Sequence, residues 1–340
     1  MKLGFGLYPH IWDDAHLAMA RQLGCDSVVA SMPLPAGNGV WQTEDLARLE
    51  SDAGKHGLEL AAVENLPPAH WDRILLGEEG QDAQMANVQQ TVRNMGEAGI
   101  GCLGYYFSIV GVWGHWRDAH QRGPGRGGAG VWSFDVDKVP TDEPPDHQDV
   151  WGMGALPHRS TDGTVPPTDA ETMWGRLEWF LQNLVPVAEE AGVTLAAHQD
   201  DPPTPKLRGI GRLLTSPDNL QRLLDLVPSE RNQLEFCQGT VSEMADVDVI
   251  GTIRRFASQG KIAYVHFRNV SATLPRFDEV FIDEGYVDML EALRAYHQNG
   301  FDGTLIPDHT PFISADNAWE TGMAYALGYI RAGMQMLGMR

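Results

Sequence analysis

The sequence predicts a single (β/α)8 barrel, the TIM-barrel fold, over residues 1–340, with a long insertion after the fourth strand. Eight short apolar runs recur along the chain, and most of them are followed by a longer stretch with helical periodicity. Eight such units match a closed ring of parallel strands. An open doubly wound sheet is the alternative, and it would need a different strand order.

Each predicted strand is a short apolar run, and each predicted helix is a longer amphipathic stretch. The predicted strands cover residues 3–7, 26–30, 59–64, 102–107, 193–198, 233–237, 262–267 and 304–308. The predicted helices cover residues 13–23, 43–56, 82–98, 170–191, 217–227, 246–259, 285–298 and 317–336. In the predicted helix at 82–98, which precedes the fourth strand, apolar side chains recur at spacings of three or four from Met85 to Met95. Gly99 then ends the helix. A glycine also separates the helix at 170–191 from the buried strand that follows it.

Residues 108–168 interrupt this alternation of strands and helices. The segment is rich in Gly, Pro, Trp and His, and it is too long for an ordinary connection between a strand and a helix. Because it follows the C-terminal end of a strand, we expect it on the catalytic face, as a lid or as a subunit interface with the Trp-rich residues 112–132 as the contact. A disordered surface insertion is the alternative.

The composition excludes several classes of partner. The chain has 46 Asp and Glu against 25 Lys and Arg, and its net charge of -21 repels nucleic acid. No apolar stretch is long enough to cross a membrane, and the N-terminus lacks the apolar run of a signal peptide. Three scattered cysteines are too few for a disulfide framework. We therefore expect a soluble cytoplasmic protein with no membrane or nucleic-acid partner.

Four of the predicted strands end in or beside a residue that can bind a metal ion: His198, Cys237, His266 and Asp308. In a barrel the C-terminal strand ends converge on one mouth, so residues far apart in sequence can share a site there. Two imidazoles, a thiolate and a carboxylate suit a divalent first-row metal with positions left open for substrate oxygens. Each residue alone has a structural alternative, because a strand-end His usually forms a hydrogen bond and an isolated Cys is usually a small buried hydrophobe.

Polar residues flank these predicted ligands. Asp200 or Asp201 could orient an imidazole, or either could stabilise a turn. Arg268 follows the seventh strand and suits bidentate binding of a substrate carboxylate. Its positive charge would attract an anionic substrate despite the negative net charge of the chain. A salt bridge to an acidic residue is the alternative. His309, beside Asp308, could move a proton near neutral pH or could be an exposed loop histidine.

Longer segments around these residues match one family pattern. They are HQDDPP at 198–203, LRGIGRL at 207–213, FCQGT at 236–240, VHFRNV at 265–270, FDEVFIDEGYVDM at 277–289, GFDGTLIPDHTP at 300–311 and, in the first half, WQTEDL, AAVENLP and QTVRNMGEAGI. At these segments the sequence resembles the mannonate dehydratase family, within the xylose-isomerase-like barrel superfamily. The second half of the chain carries the resemblance almost continuously, and the first half carries it more loosely.

The resemblance implies a metal-dependent barrel enzyme that uses one Mn²⁺ or Fe²⁺ per subunit and converts D-mannonate to 2-keto-3-deoxy-D-gluconate. Its metal-ligand pattern falls on the four residues already named. It places Arg268 at the substrate and His309 near the chemistry, and the family's C-terminal Tyr is matched by Tyr325 or Tyr329. We also expect a homo-oligomer, a dimer or larger.

The expected site therefore has three groups of residues. The metal ligands are His198, Cys237, His266 and Asp308. The catalytic residues are Asp308, His309 and Tyr325, and the substrate-binding residues are Asp200, Arg268, Asn269 and Tyr329.

The chain departs from the family pattern at two places. Gln199 stands where the family usually has a Pro, and Tyr106 stands where it has an Asn, just before the long insertion. Both changes lie where substrate would be contacted. The resemblance therefore supports metal binding more directly than it supports D-mannonate as the substrate.

Three other functions remain open from the sequence. The chain could dehydrate another aldonic acid, or it could be a metal-dependent sugar isomerase on the same barrel. The isomerases favour oxygen and imidazole ligands, so Cys237 favours the dehydratase. A non-catalytic sugar-acid binding protein is the alternative from another class, and it would not need a general acid beside a metal ligand.

Overall fold

Eight parallel strands close into a barrel in the computed structural model, which describes residues 1–112, 123–139, 142–148, 150–152, 159 and 162–340. Each strand pairs with the next in chain order, and the eighth pairs with the first. The eight strands are Lys2–Leu7, Ser27–Ser31, Glu59–Glu64, Cys102–Tyr105, Thr194–His198, Asn232–Cys237, Ile262–His266 and Thr304–Ile306. The predicted closed barrel is therefore confirmed, and the open sheet is excluded.

All eight predicted helices are present on the outside of this barrel. Their bounds are Asp14–Gln22, Thr43–Lys55, Gln81–Glu97, Ala170–Ala191, Pro217–Leu226, Val249–Ser258, Met289–Gln298 and Ala318–Met336. The short helices Asp72–Leu76 and Gln238–Glu243 were not predicted. Among the described helices, none is both long and apolar enough to cross a lipid bilayer.

Two predicted helices begin three or four residues too early, because an aspartate caps each one. The Asp288 carboxylate accepts hydrogen bonds from the N–H groups of Leu290 and Glu291, so that helix begins at Met289 and not at residue 285. Asp248 likewise accepts from the N–H of Gly251 and fixes the start of its helix. A capping side chain leaves its own backbone outside the helix, which hydrophobic periodicity does not reveal.

Two predicted strands end two residues earlier than expected, and the seventh ends one residue earlier, at His266. The eighth strand ends at Ile306 and not at residue 308, because Pro307 has no N–H to continue the ladder. The fourth strand ends at Tyr105, since the carbonyl of Tyr106 accepts hydrogen bonds from the Trp151 indole and from the Ser108 N–H. Asp308 therefore lies on a loop two residues beyond its strand.

The described parts of the insertion reach across the barrel mouth. Residues Ser133–Asp135 form a strand that pairs antiparallel with Arg276–Val280, which pairs in turn with Asn269–Val270. Gly130 forms a bridge with Phe312, in the loop after the eighth strand. The insertion thus contacts the loops after strands seven and eight. Residues 113–122 of the candidate subunit contact at 112–132 lie outside the described residues, and the lid or interface role stays a prediction.

Alternate side chains of the strands fill the barrel interior. A small apolar cluster there consists of Val29, Ala62, Cys102, Ala196, Tyr264 and Ile306. The larger core lies between the strands and the helices. All three cysteines are free and buried.

Gly104, in the fourth strand, is required by this interior packing. A Cβ at Gly104 would overlap the Tyr264 hydroxyl and would lie 2.5 Å from Glu235 Oε2. We expect Gly104→Ala to lower the free energy of unfolding by about 1–3 kcal/mol, the usual cost of overpacking. Denaturant titration would measure the change. The control is Gly101→Ala, where no atom lies within 4 Å of the added Cβ; equal stability of the two variants would contradict this account of the interior.

Candidate metal centre and active site

The four predicted metal ligands meet at the C-terminal mouth of the barrel. One donor atom from each of His198, Cys237 and His266 lies within 4.8 Å of the other two. Asp308 Oδ2 lies 4.0 Å from Cys237 Sγ and 3.6 Å from His266 Nδ1. The structure therefore brings all four residues together from four consecutive strands.

Strand register and a helix start position these donors. His266 and Cys237 are paired residues of neighbouring strands, so their side chains leave the barrel side by side. Cys237 also caps the helix Gln238–Glu243, where its Sγ accepts the N–H of Thr240 at 3.4 Å. The N–H of Cys237 donates to Gln199 Oε1 at 2.7 Å. Gln199, which stands where the resembled family usually has a Pro, thus fixes the backbone of a candidate metal ligand.

Cys237 is a thiolate at neutral pH. Burial alone would raise its pKa, but the positive charge of Arg268 and the neighbouring imidazoles of His198 and His266 lower the pKa to about 5. A thiolate is the form of cysteine that binds metals. The side chain is therefore ready to bind a cation without a further change of charge.

The two imidazoles present different nitrogens to the cluster. His198 Nδ1 lies 2.6 Å from the carbonyl oxygen of Gln199, so Nδ1 carries the proton and Nε2 is left for a metal. Neither Asp200 nor Asp201 performs the orienting role considered for them, because a backbone carbonyl performs it. His266 is turned the other way: its Nε2 lies 3.0 Å from Glu64 Oε2 and 3.1 Å from a Glu235 oxygen.

The donor set fits a divalent first-row metal ion. His266 Nδ1 is buried and has no hydrogen-bond partner in the described part of the chain. A buried polar atom is costly without a partner, and a cation held with Cys237 and His198 would supply one. A second acidic group, formed by Asp201, Glu243 and Glu279, also has the spacing of a metal site.

That second acidic group is filled by the guanidinium of Arg268. Its Nη2 lies 2.5 Å from Asp201 Oδ2, and its Nη1 lies 2.8 Å from Glu243 Oε1 and 3.3 Å from Glu279 Oε1. Nε donates to Asp308 Oδ2 at 2.9 Å. Arg268 is 2% exposed. The arginine therefore holds the candidate ligand Asp308 in place, and its expected contact with substrate stays a prediction.

His309 is held by a carboxylate on one side and faces the site on the other. Its Nδ1 lies 2.6 Å from Glu279 Oε2, and its Nε2 lies 3.5 Å from Asp308 Oδ1. Burial alone would lower the pKa of His309, but the charges of Asp308 and Glu279 raise it to about 9. The Trp132 ring, from the insertion, lies 6.1 Å from the His309 ring between centroids.

A cavity of about 460 Å³ opens beside His309 and Asp308. Its wall includes Tyr8, Trp132 and Trp319. The cavity therefore combines a proton-carrying imidazole, the carboxylate of a candidate metal ligand and large aromatic surfaces. This combination suits a small polar substrate that must be bound and covered.

Two predicted substrate contacts are engaged elsewhere. Asp200 accepts the N–H groups of Leu213 and Leu214 at 2.7 and 2.8 Å and pairs with Arg212. The Asn269 amide donates to the carbonyls of Ile282 and Val287. Both side chains are buried and stabilise loops around the mouth. The structure brings neither into the cavity, and the physical reason is that backbone groups already satisfy them.

The two candidate C-terminal tyrosines also lie away from the cavity wall described above. Tyr325 is 41% exposed, and its hydroxyl accepts a hydrogen bond from Arg126 at 3.4 Å. It lines a second, much smaller cavity together with His309. Tyr329 lies one helical turn further along Ala318–Met336 and packs against the core. The catalytic role of Tyr325 and the substrate contact of Tyr329 stay predictions.

Sequence reasoning missed Tyr8, Glu64, Glu235 and Glu279. Tyr8 follows the first strand directly, so the rule that found the metal ligands would also have found it. Glu235 precedes Cys237 by two residues and therefore shares its face of the strand, inside the barrel. A charged residue within an apolar strand is an informative signal, because it is rarely buried without a partner.

Tyr106, the second departure from the family, supports His198. The two rings lie 5.3 Å apart in an edge arrangement. The Tyr106 hydroxyl accepts from Arg212 at 2.8 Å and from the N–H of Asp201 at 3.0 Å. Tyr106 therefore packs beside the candidate ligand His198 and joins the loop after strand five to the insertion.

Comparison with known proteins finds the family that the sequence segments resemble. The family model for D-mannonate dehydratase (UxuA) matches residues 1–340. A "Mannonate dehydratase 2" of Halalkalibacterium halodurans is 32% identical over 315 residues, which cover 88% of this chain and 88% of that protein. A mannonate dehydratase of Thermotoga maritima is 31% identical over 336 residues, 94% of this chain and 91% of that protein.

A solved structure is similar over nearly the whole chain. The crystal structure of mannonate dehydratase from Streptococcus suis serotype 2 superposes with a TM-score of 0.80 at 26% sequence identity. The match covers 99% of this chain and 95% of that chain.

We expect Cys237→Ser to weaken metal binding by more than about tenfold, because loss of a ligand should cost at least as much as loss of an outer partner. Metal titration and elemental analysis of bound Mn²⁺ would measure it. The matched control is Cys102→Ser, in a buried cysteine at the opposite end of the barrel. If Cys237→Ser retains the metal as the control does, Cys237 is not a ligand.

Proposed function

The chain belongs to the D-mannonate dehydratase family, and we propose that it is a metal-dependent hydro-lyase that converts D-mannonate to 2-keto-3-deoxy-D-gluconate and water. One observation carries the proposal beyond family membership. A thiolate, two imidazoles and a carboxylate meet at one point beside His309, which faces a cavity of suitable size.

We propose one Mn²⁺ or Fe²⁺ per chain, held by the cluster of His198, Cys237, His266 and Asp308. When bound, the metal supplies positive charge that stabilises negative charge developing on substrate oxygens. The mixed sulfur, nitrogen and oxygen donor set supports a first-row transition metal over Mg²⁺ or Ca²⁺, which prefer oxygen ligands.

The reaction requires two proton movements. The proton beside the substrate carboxylate must leave, and the hydroxyl of the next carbon must gain a proton to depart as water. His309 Nε2 is the nitrogen available for one of these transfers, because Glu279 occupies Nδ1. Tyr8 and Tyr325 offer hydroxyl groups for the other, and Tyr8 lines the larger cavity with His309. The enol that remains becomes the 2-keto product without further catalysis.

Arg268 supports this chemistry indirectly. Its Nε holds Asp308 Oδ2, and its Nη1 lies against Glu279, the partner of His309. A single guanidinium therefore fixes the positions of a metal ligand and of the proton-transfer residue relative to each other. Such preorganisation avoids rearrangement during the reaction.

The proposal extends to the location and the assembly of the enzyme in the cell. We place the enzyme in the cytoplasm, where its three free cysteines would remain reduced. A homo-oligomer, a dimer or larger, stays a prediction.

Metal-loaded protein should form a 2-keto-3-deoxy acid from D-mannonate. A panel of aldonic acids that differ at the second and third carbons, assayed for 2-keto-3-deoxy products, would test both the reaction and its stereochemistry. A chelator-treated sample is the control, because the cluster should need its metal. Absence of product from every acid at full metal loading would refute the proposed reaction.

His309→Gln should lower kcat by about 10²–10⁴-fold, the usual contribution of a positioned acid or base. Bound metal should stay unchanged, since His309 is not among the proposed ligands. The control is His297→Gln, in an exposed histidine of the helix Met289–Gln298. A His309→Gln variant with wild-type kcat would remove this residue from the proton transfer.

A further inference from the structure

His266 contacts two carboxylates, one buried and one partly buried, beneath the candidate metal site. Its Nε2 lies 3.0 Å from Glu64 Oε2 and 3.1 Å from Glu235 Oε1. The side chain of Glu235 is 1% exposed and that of Glu64 is 12% exposed. One carboxylate is enough for a structural hydrogen bond with an imidazole nitrogen, and here two carboxylates lie against the same nitrogen.

The barrel strands place this carboxylate pair. Glu64 ends the third strand, and Glu235 lies two residues before Cys237 in the sixth. Side chains two residues apart on a strand share a face, so Glu235 lies directly below a metal ligand. The Tyr264 hydroxyl donates to Glu64 Oε2 at 3.3 Å and helps to hold it. The glycine at position 104 leaves the space that Glu235 occupies.

The pair determines which nitrogen of His266 faces the cluster. The Glu64 carboxylate is ionised at neutral pH and only accepts hydrogen bonds, so the His266 nitrogen that lies 3.0 Å from it carries a proton. Nε2 therefore carries a proton, and Nδ1 is the nitrogen that faces the cluster and that a metal would bind. Nδ1 is buried without a hydrogen-bond partner among the described residues and lies 3.6 Å from Asp308 Oδ2.

We propose that Glu64 and Glu235 act as a pair of positioning residues that fix His266 with Nδ1 as its metal-binding nitrogen. The inference rests on the metal site of the proposed function. His198 binds through the opposite nitrogen, because its Nδ1 donates to the Gln199 carbonyl. The two histidines thus approach the metal in different ring orientations, one set by backbone and the other by the carboxylate pair.

The first test measures metal affinity and needs no substrate. Glu64→Gln and Glu235→Gln should each weaken binding of Mn²⁺ by about 10–100-fold, the usual loss when an outer partner of a ligand is removed. The double variant should lose at least as much as either single variant. The control is Glu59→Gln, in an exposed glutamate on the same strand as Glu64, and it should bind as wild type does.

Two outcomes of this titration would overturn the inference. One is a double variant that binds Mn²⁺ with wild-type affinity. The other is a wild-type protein that binds two metal ions per chain and loses one in the double variant, since the carboxylates would then be ligands of a second ion.

A second measurement reads the imidazole nitrogens of the wild-type protein and does not depend on how the glutamate variants fold. In wild-type protein labelled with ¹⁵N-histidine and loaded with diamagnetic Zn²⁺, nitrogen–proton correlations report which nitrogen of each imidazole is protonated. We expect His266, assigned by its absence in His266→Gln, to be protonated at Nε2 and metal-bound at Nδ1. Binding through Nε2 would overturn the inference.

The two proposals fail separately. Affinity loss in the glutamate variants of a protein that forms no 2-keto-3-deoxy acid would leave the positioning pair intact and refute the reaction. If the wild type forms product and the glutamate variants keep full metal affinity, the reaction is supported and the positioning pair is refuted.

Discussion

The buried guanidinium of Arg268 is the interaction on which the mouth of the barrel depends. It contacts one carboxylate from each of the last four loops: Asp201, Glu243, Glu279 and Asp308 follow strands five, six, seven and eight. These loops have no common sheet to align them, so the arginine performs that task. Removing one partner of a buried ion pair typically costs about 3–5 kcal/mol, because the remaining charge is left unpaired. The loops therefore hold their relative positions as a unit.

Charge balance makes the same region dependent on further cations. Four carboxylates surround one guanidinium, and Glu64, Glu235 and the Cys237 thiolate add more acidic groups nearby. Burial penalises each uncompensated charge. The pKa of His266 is raised well above its usual value by Asp308, Glu64 and Glu235, against the opposing effect of burial. A divalent metal would compensate the same negative charge from inside the cluster, and it would supply the attraction for an anionic substrate that Arg268, already fully paired, does not offer to the cavity.

The fold and the convergence of the candidate metal ligands were predictable from sequence for one physical reason. Strand periodicity marks the C-terminal strand ends, and in a closed barrel those ends share one mouth, so His198, Cys237 and His266 could be assigned to one site. The partners of Arg268 were not predictable, since Glu243 lies in a short helix and Glu279 in a short outer strand that carry no clear periodicity. Substrate contacts were the least predictable. Loop packing decides whether a polar side chain forms its hydrogen bonds with the backbone or with a ligand.

The insertion bears on the chemistry through Glu279. Its strand Ser133–Asp135 pairs with Arg276–Val280, and the N–H of Glu279 donates to the Trp132 carbonyl at 2.8 Å. Glu279 is therefore held by the insertion through its backbone, while its carboxylate lies between Arg268 and His309. A shift of the strand Ser133–Asp135 would move Glu279 and with it the ring of His309. Variation in that strand can thus change the geometry at His309 while the candidate metal ligands, on the barrel strands and the loop after the eighth, stay where they are.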